Sequence, residues 1–141
     1  MKGKALICFE DAVSGQAVLT KGIELAERLG YEPVIIHVQV AATGIAGTYD
    51  NLFHEELEQI ESLFGDPGQE ELLYVRKHLG GTPHPPRFIL ASGVPSTIIL
   101  NALAGGEYKI VMIGDRKDDG PGKIGLDIIK GSPVSVLVIK G

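Results

Sequence analysis

The stretch GDRKDDGPGKIG, residues 114–125, gathers glycines, cations and carboxylates into one short loop. The apolar run KIVMI leads into it, and a helical pattern follows. A glycine turn between a strand and a helix lets backbone N–H groups approach an anion, with the positive end of the helix behind them. Arg116, Lys117 and Lys123 add positive charge, while Asp115, Asp118 and Asp119 cancel it. Glu10 and Asp11 follow the first apolar run and bring two further carboxylates wherever the chain places that run beside this one. Three cations then meet five carboxylates. Like charges ~4 Å apart repel by about 1–4 kcal/mol between water-like and surface-like screening. A triphosphate is therefore disfavoured unless a divalent cation such as Mg²⁺, which takes carboxylate and phosphate oxygens as ligands, bridges the two. The loop is not a Walker motif, because Lys117 and Ile124 hold the places of its first glycine and its Ser/Thr.

Little other chemistry stands out. His37, His54, His78 and His84 have no metal-ligand spacing. His37 lies within the apolar run EPVIIHVQV and reads as a satisfied core residue or as one with a dimer-side role. His54 and His78 fall on helical patterns and read as surface, and His84 lies between prolines. Ser14, Ser92 and Ser96 lack a nucleophile-elbow context, and Ser96, just after Pro95, reads as a helix cap. The single cysteine, Cys8, sits within ALICF and reads as a small buried residue, so cysteine supplies neither a disulfide framework nor a zinc site. No general base stands beside a nucleophile, and the expectation is a protein that is not an enzyme.

The elements that position these residues alternate along the chain. KALICFE (4–10), EPVIIHVQV (32–40), RFILAS (87–92), YKIVMIG (108–114) and SPVSVLVIK (132–140) are short apolar runs, as expected of strands buried on both faces. A helix is expected after the first, with Ser14 as its cap and Gly30 ending it through positive φ. AATGIAGTYD (41–50) reads as a loop. Residues 50–65 and 66–81 carry helical patterns, GVPSTIILNALAGG gives a helix with Pro95 early and a Gly-Gly stop, and GPGKIGLDIIKG gives a short one. The alternation calls for an open parallel sheet with helices on both faces. Ligands of such sheets bind beyond the carboxyl ends of the strands, where the strand order reverses.

The chain has 141 residues, a length that suits one domain over 1–141, and its 44% hydrophobic and 22% charged residues suit a packed globule. A net charge of −5 argues against nucleic acid or an anionic membrane as the main partner. No apolar run approaches the ~18 residues of a membrane span, and MKGKALICFED does not read as a signal peptide, so a cytoplasmic location is expected.

Four stretches carry a resemblance to the universal stress protein family: ALICFEDAVSGQAVLTKGIELAERLGYEPVIIHV, ASGVPSTIILNALAGGEYKIVMIGDRK, GKIGLDIIKGSPV and the final SVLVI. The resemblance implies an adenine nucleotide α-hydrolase-like α/β fold whose five parallel strands run in the order 3-2-1-4-5. It also implies a homodimer paired through the last strand, and a regulator or sensor of some client protein. Many members bind ATP through an Asp after the first strand and a G-x-x-G-x9-G-S/T loop after the fourth. Here Glu10 stands at the Asp, Gly114 matches the first glycine, Lys117 replaces the second and Lys123 replaces the Ser/Thr, with the loop to Gly122 shortened. The ligand expected is an adenine nucleotide, AMP in preference to ATP. It would be held by Glu10, the backbone at Val38 and Val40, Gly114, Arg116, Gly122 and Lys123. Two alternatives stand beside this reading. One is a dimeric interaction module that binds no nucleotide. The other is a phosphoacceptor receiver domain, suggested by the Glu10–Asp11 pair but lacking an acid at the end of RFILAS.

Overall fold

A computed structural model of the chain describes residues 3–10, 15–39, 47–49, 86–115 and 120–140. Six strands form one sheet: β1 (Lys4–Cys8), β2 (Glu32–Gln39), β3 (Gly47–Tyr49), β4 (Arg87–Ser92), β5 (Tyr108–Gly114) and β6 (Ser135–Ile139). Their order is β3-β4-β2-β1-β5-β6. The five longer strands are mutually parallel, in the order expected from the sequence. The difference is β3, which adds a short antiparallel strand to β4 with Thr48 opposite Ile89, in a stretch expected to be loop. The two helical segments expected over 50–65 and 66–81 lie outside the described residues, as do His54, His78 and His84.

The central strands are apolar throughout because each face is covered. Ala5, Ile7 and Phe9 of the β1 segment pack with Ile35 and Met112 against Val18, Leu19 and Ala26 of helix α1 (Gln16–Arg28). The alternate residues Leu6, Cys8, Val34, Ile36, Val111 and Ile113 pack on the other side against Ile99 and Leu103 of α2 (Pro95–Ala104) and Ile128 of α3 (Gly122–Gly131). Each large side chain buried here contributes about 1.5–3 kcal/mol. This two-sided cover is what a parallel sheet requires.

The helix ends follow local chemistry. Gly30 adopts φ +82, Tyr31 N donates to Ala26 O at 2.9 Å and Gly30 N to Glu27 O at 3.0 Å, so α1 closes in a Schellman turn as expected. Its N-cap is Gly15, and Ser14 lies outside the described residues. The cap of α2 is Val94 with no side-chain bond, which corrects the reading of Ser96. Pro95 occupies the first turn, where a missing N–H costs nothing, and Ser96 lies inside the helix.

Candidate functional site

The strand order reverses at β1, whose neighbours are β2 on one side and β5 on the other. Ile7 is in register with Met112 of β5, and Cys8 with Ile36 of β2. Because these strands are parallel, their carboxyl ends share one edge of the sheet. Glu10, Val38 and Gly114 therefore come to that edge together. The β1–β2 ladder closes with Phe9 N donating to Ile36 O at 2.9 Å, while β2 runs on to Gln39 against Ser92 of β4. The backbone at Val38 thus extends past its registered pairing with β1.

His37 lies where β1 leaves β2. Its ring is buried, and Nδ1 lies 2.9 Å from Phe9 O, as a donor when it carries the proton. The ring is tilted against Phe9 at a centroid distance of 6.3 Å. His37 is therefore the satisfied core residue that its position in an apolar run implied. Cys8 is buried, and burial pushes its thiol well above the usual range, with the Glu10 carboxylate adding to the effect. It is held as the neutral thiol.

Helix α3 begins at the same edge. Gly120 and Gly122 have φ of +63 and +71, a conformation that side chains with a Cβ rarely adopt. A Cβ on Gly125 would lie 3.1 Å from the Ile113 side chain, so the first turns of α3 rest on the end of β5. Gly122 and exposed Lys123 accordingly lie at the carboxyl edge with Glu10, Val38 and Gly114. Val40 and Arg116 lie outside the described residues, as do Lys117, Asp118 and Asp119.

Asp115 has a part that its residue type alone did not indicate. Its backbone N donates to Ile139 O at 2.9 Å, which fixes the tip of β5 to the end of β6. Its Oδ2 lies 3.9 Å from Nζ of Lys140, whose side chain is largely exposed. Its Oδ1 is buried and has no hydrogen-bond partner among the described residues. A Cβ on Gly120 would lie 3.9 Å from that oxygen, so the carboxylate sits beneath the turn that leads into α3. Lys21 Nζ, on α1, donates to Lys140 O at 2.9 Å and ties the end of β6 to α1. Sequence reasoning counted Asp115 only as one charge among several. Its place directly after the glycine that ends the strand was the available signal.

A shallow groove opens at the opposite edge, between the ends of α2 and α3, lined by Leu100, Leu103, Tyr108, Gly131, Pro133 and Val134. None of the residues nominated from the sequence lies there. Tyr108 is raised above the usual phenol range, chiefly by burial and then by Glu107, with Arg87 opposing and Glu32 adding. Among the described residues no three His, Cys, Asp or Glu gather as metal ligands, and no helix is long and apolar enough to cross a membrane.

No protein-family model matches this sequence, and no curated protein does. Solved structures do match. A universal stress protein from Lactobacillus plantarum superposes with a TM-score of 0.71 at 16% identity, covering 98% of this chain and 97% of that one. A universal stress protein family member from Arabidopsis thaliana, solved with AMP bound, gives a TM-score of 0.59 at 15% identity, covering 98% of this chain and 90% of that one. A universal stress protein in complex with cAMP gives 0.55 at 10% identity, covering 99% and 98%. The chain has the universal stress protein fold, as its sequence motifs implied.

Proposed function

We propose that this protein is a regulator or sensor of the universal stress protein type that binds an adenine nucleotide at the carboxyl edge of its sheet. The observation that carries the reading is the meeting of Glu10, Val38 and Gly114 at one edge with the two positive-φ glycines that lead into α3. A proximal carboxylate suits a ribose hydroxyl, the β2 backbone at Val38, which runs past its registered pairing with β1, suits the edge of an adenine, and a glycine turn suits a phosphate. The AMP and cAMP complexes of proteins with the same fold support this choice of ligand. Val40, Arg116 and Lys123 complete the proposed contacts, and ATP with Mg²⁺ is the secondary ligand. The role proposed is binding rather than catalysis.

The protein works as a homodimer joined through β6, the last strand in the sheet order, and acts on a client protein in the cytoplasm. A free β-branched edge favours a partner strand. Isothermal titration with AMP, ADP, ATP, cAMP and cyclic dinucleotides, with and without magnesium, tests the ligand. Saturable heat with AMP is expected. Silence across the whole panel would replace this reading with that of a dimeric interaction module.

A further inference from the structure

Resting on that reading of the crevice, we propose that Asp115 sets how many phosphates the site accepts, favouring a monophosphate over a triphosphate. Asp115 follows Gly114 directly at the carboxyl edge of the sheet, and its carboxylate lies beside Gly120 ahead of α3, where a nucleotide's phosphates would approach. Its backbone is pinned by the bond to Ile139, so the carboxylate has little freedom to swing away. Oδ1 is buried beneath Gly120, without a hydrogen-bond partner among the described residues. An unpaired buried acceptor opposes folding, so packing does not account for this carboxylate. Lys140 lies 3.9 Å from Oδ2, but its side chain is 83% exposed and neutralises the charge only weakly.

A largely buried charge is screened less than a surface one, and each further phosphate brings more negative charge to the same edge of the sheet. The carboxylate therefore acts through its field on ligands that it need not touch. The cost grows along the series AMP, ADP, ATP.

The test titrates the three nucleotides, in chelator so that no divalent cation bridges the charges, into the wild type and Asp115→Asn. The wild type is expected to prefer AMP over ATP by about tenfold or more, since about 1.4 kcal/mol of repulsion is one decade in affinity. The Asn variant, which keeps the shape and removes the charge, should narrow that gap by about tenfold, mainly through tighter ATP. Asp115→Ser serves as a second, smaller replacement should Asn fold poorly. Independently of any variant, raising the ionic strength from about 0.01 to about 0.15 M should narrow the wild-type preference, because the screening length falls from ~30 to ~8 Å. An AMP-to-ATP ratio unmoved by the substitutions or by salt overturns the role of Asp115 and leaves nucleotide binding standing. Binding of no nucleotide by wild type or variants overturns both.

Discussion

Two residues of the β1–β2 seam show how local burial becomes measurable behaviour. Burial raises the Cys8 thiol, so the folded state keeps a proton that the unfolded state releases. The associated stability is fully present below the unfolded thiol's value, about 8.5, and is lost as pH rises beyond it, by up to ~1.4 kcal/mol per pH unit. Denaturant titrations from pH 7 to 10 should show this decline, and Cys8→Ala should flatten it up to about pH 10, where Tyr108 begins a loss of the same sign. A disulfide reagent should label Cys8 in the native protein only as fast as the core opens, and at once in urea. His37 is a second case. His37→Phe leaves Phe9 O without the ring as its partner and should cost about 1–3 kcal/mol in urea denaturation. The burial of both side chains was legible from the apolar runs that contain them. The partner of His37 was not, because Phe9 lies 28 positions away and only the strand register brings them together. The burial of the Asp115 carboxylate was hidden for the same reason, since it depends on where Gly120 and Lys140 fold back.

At the scale of elements, α3 is seated by a glycine. A Cβ at Gly125 would lie 2.7 Å from Pro121 Cβ and 3.1 Å from Ile113 Cδ1, so the first turns of the helix have no room for one. Gly125→Ala should destabilise the protein by ~1–3 kcal/mol through overpacking. It should also weaken AMP binding, because relief requires the start of α3 to shift at the proposed phosphate turn. Thermal melts and titration of the same variant check the two effects together. The parallel strands were legible because each is an uninterrupted apolar run, and RFILAS and YKIVMIG matched to the residue. The last strand starts later than its β-branched sequence suggests. Ser132 Oγ donates to Val134 O at 2.8 Å and accepts from Val134 N at 3.1 Å, which holds residues 132–134 in a turn before β6 begins. β3 was missed because GTY has too little apolar pattern of its own. Its existence depends on the ladder that β4 offers.

For the whole molecule, the open question of assembly turns on β6. Ile139 O accepts from Asp115 N on the β5 side. By alternation along the strand, Val136 and Val138 direct their backbone N–H groups to the open edge. Val136→Pro removes one outward donor while sparing the ladder to β5. Sedimentation should report a dimer for the wild type and a monomer for the variant, with the circular dichroism spectrum retained. A variant that stays dimeric would place the interface elsewhere. The strand order was legible from the β-α alternation together with the family resemblance, but which residues share the carboxyl edge needed the observed register. That register has a practical corollary. Because β6 runs parallel to β5, a purification tag or fluorescent fusion attached beyond Lys140 would emerge at the carboxyl edge of the sheet, beside Asp115. One attached ahead of Lys4 would leave from the far side of the sheet, so reagents for ligand-binding assays are best built with the handle at the amino end.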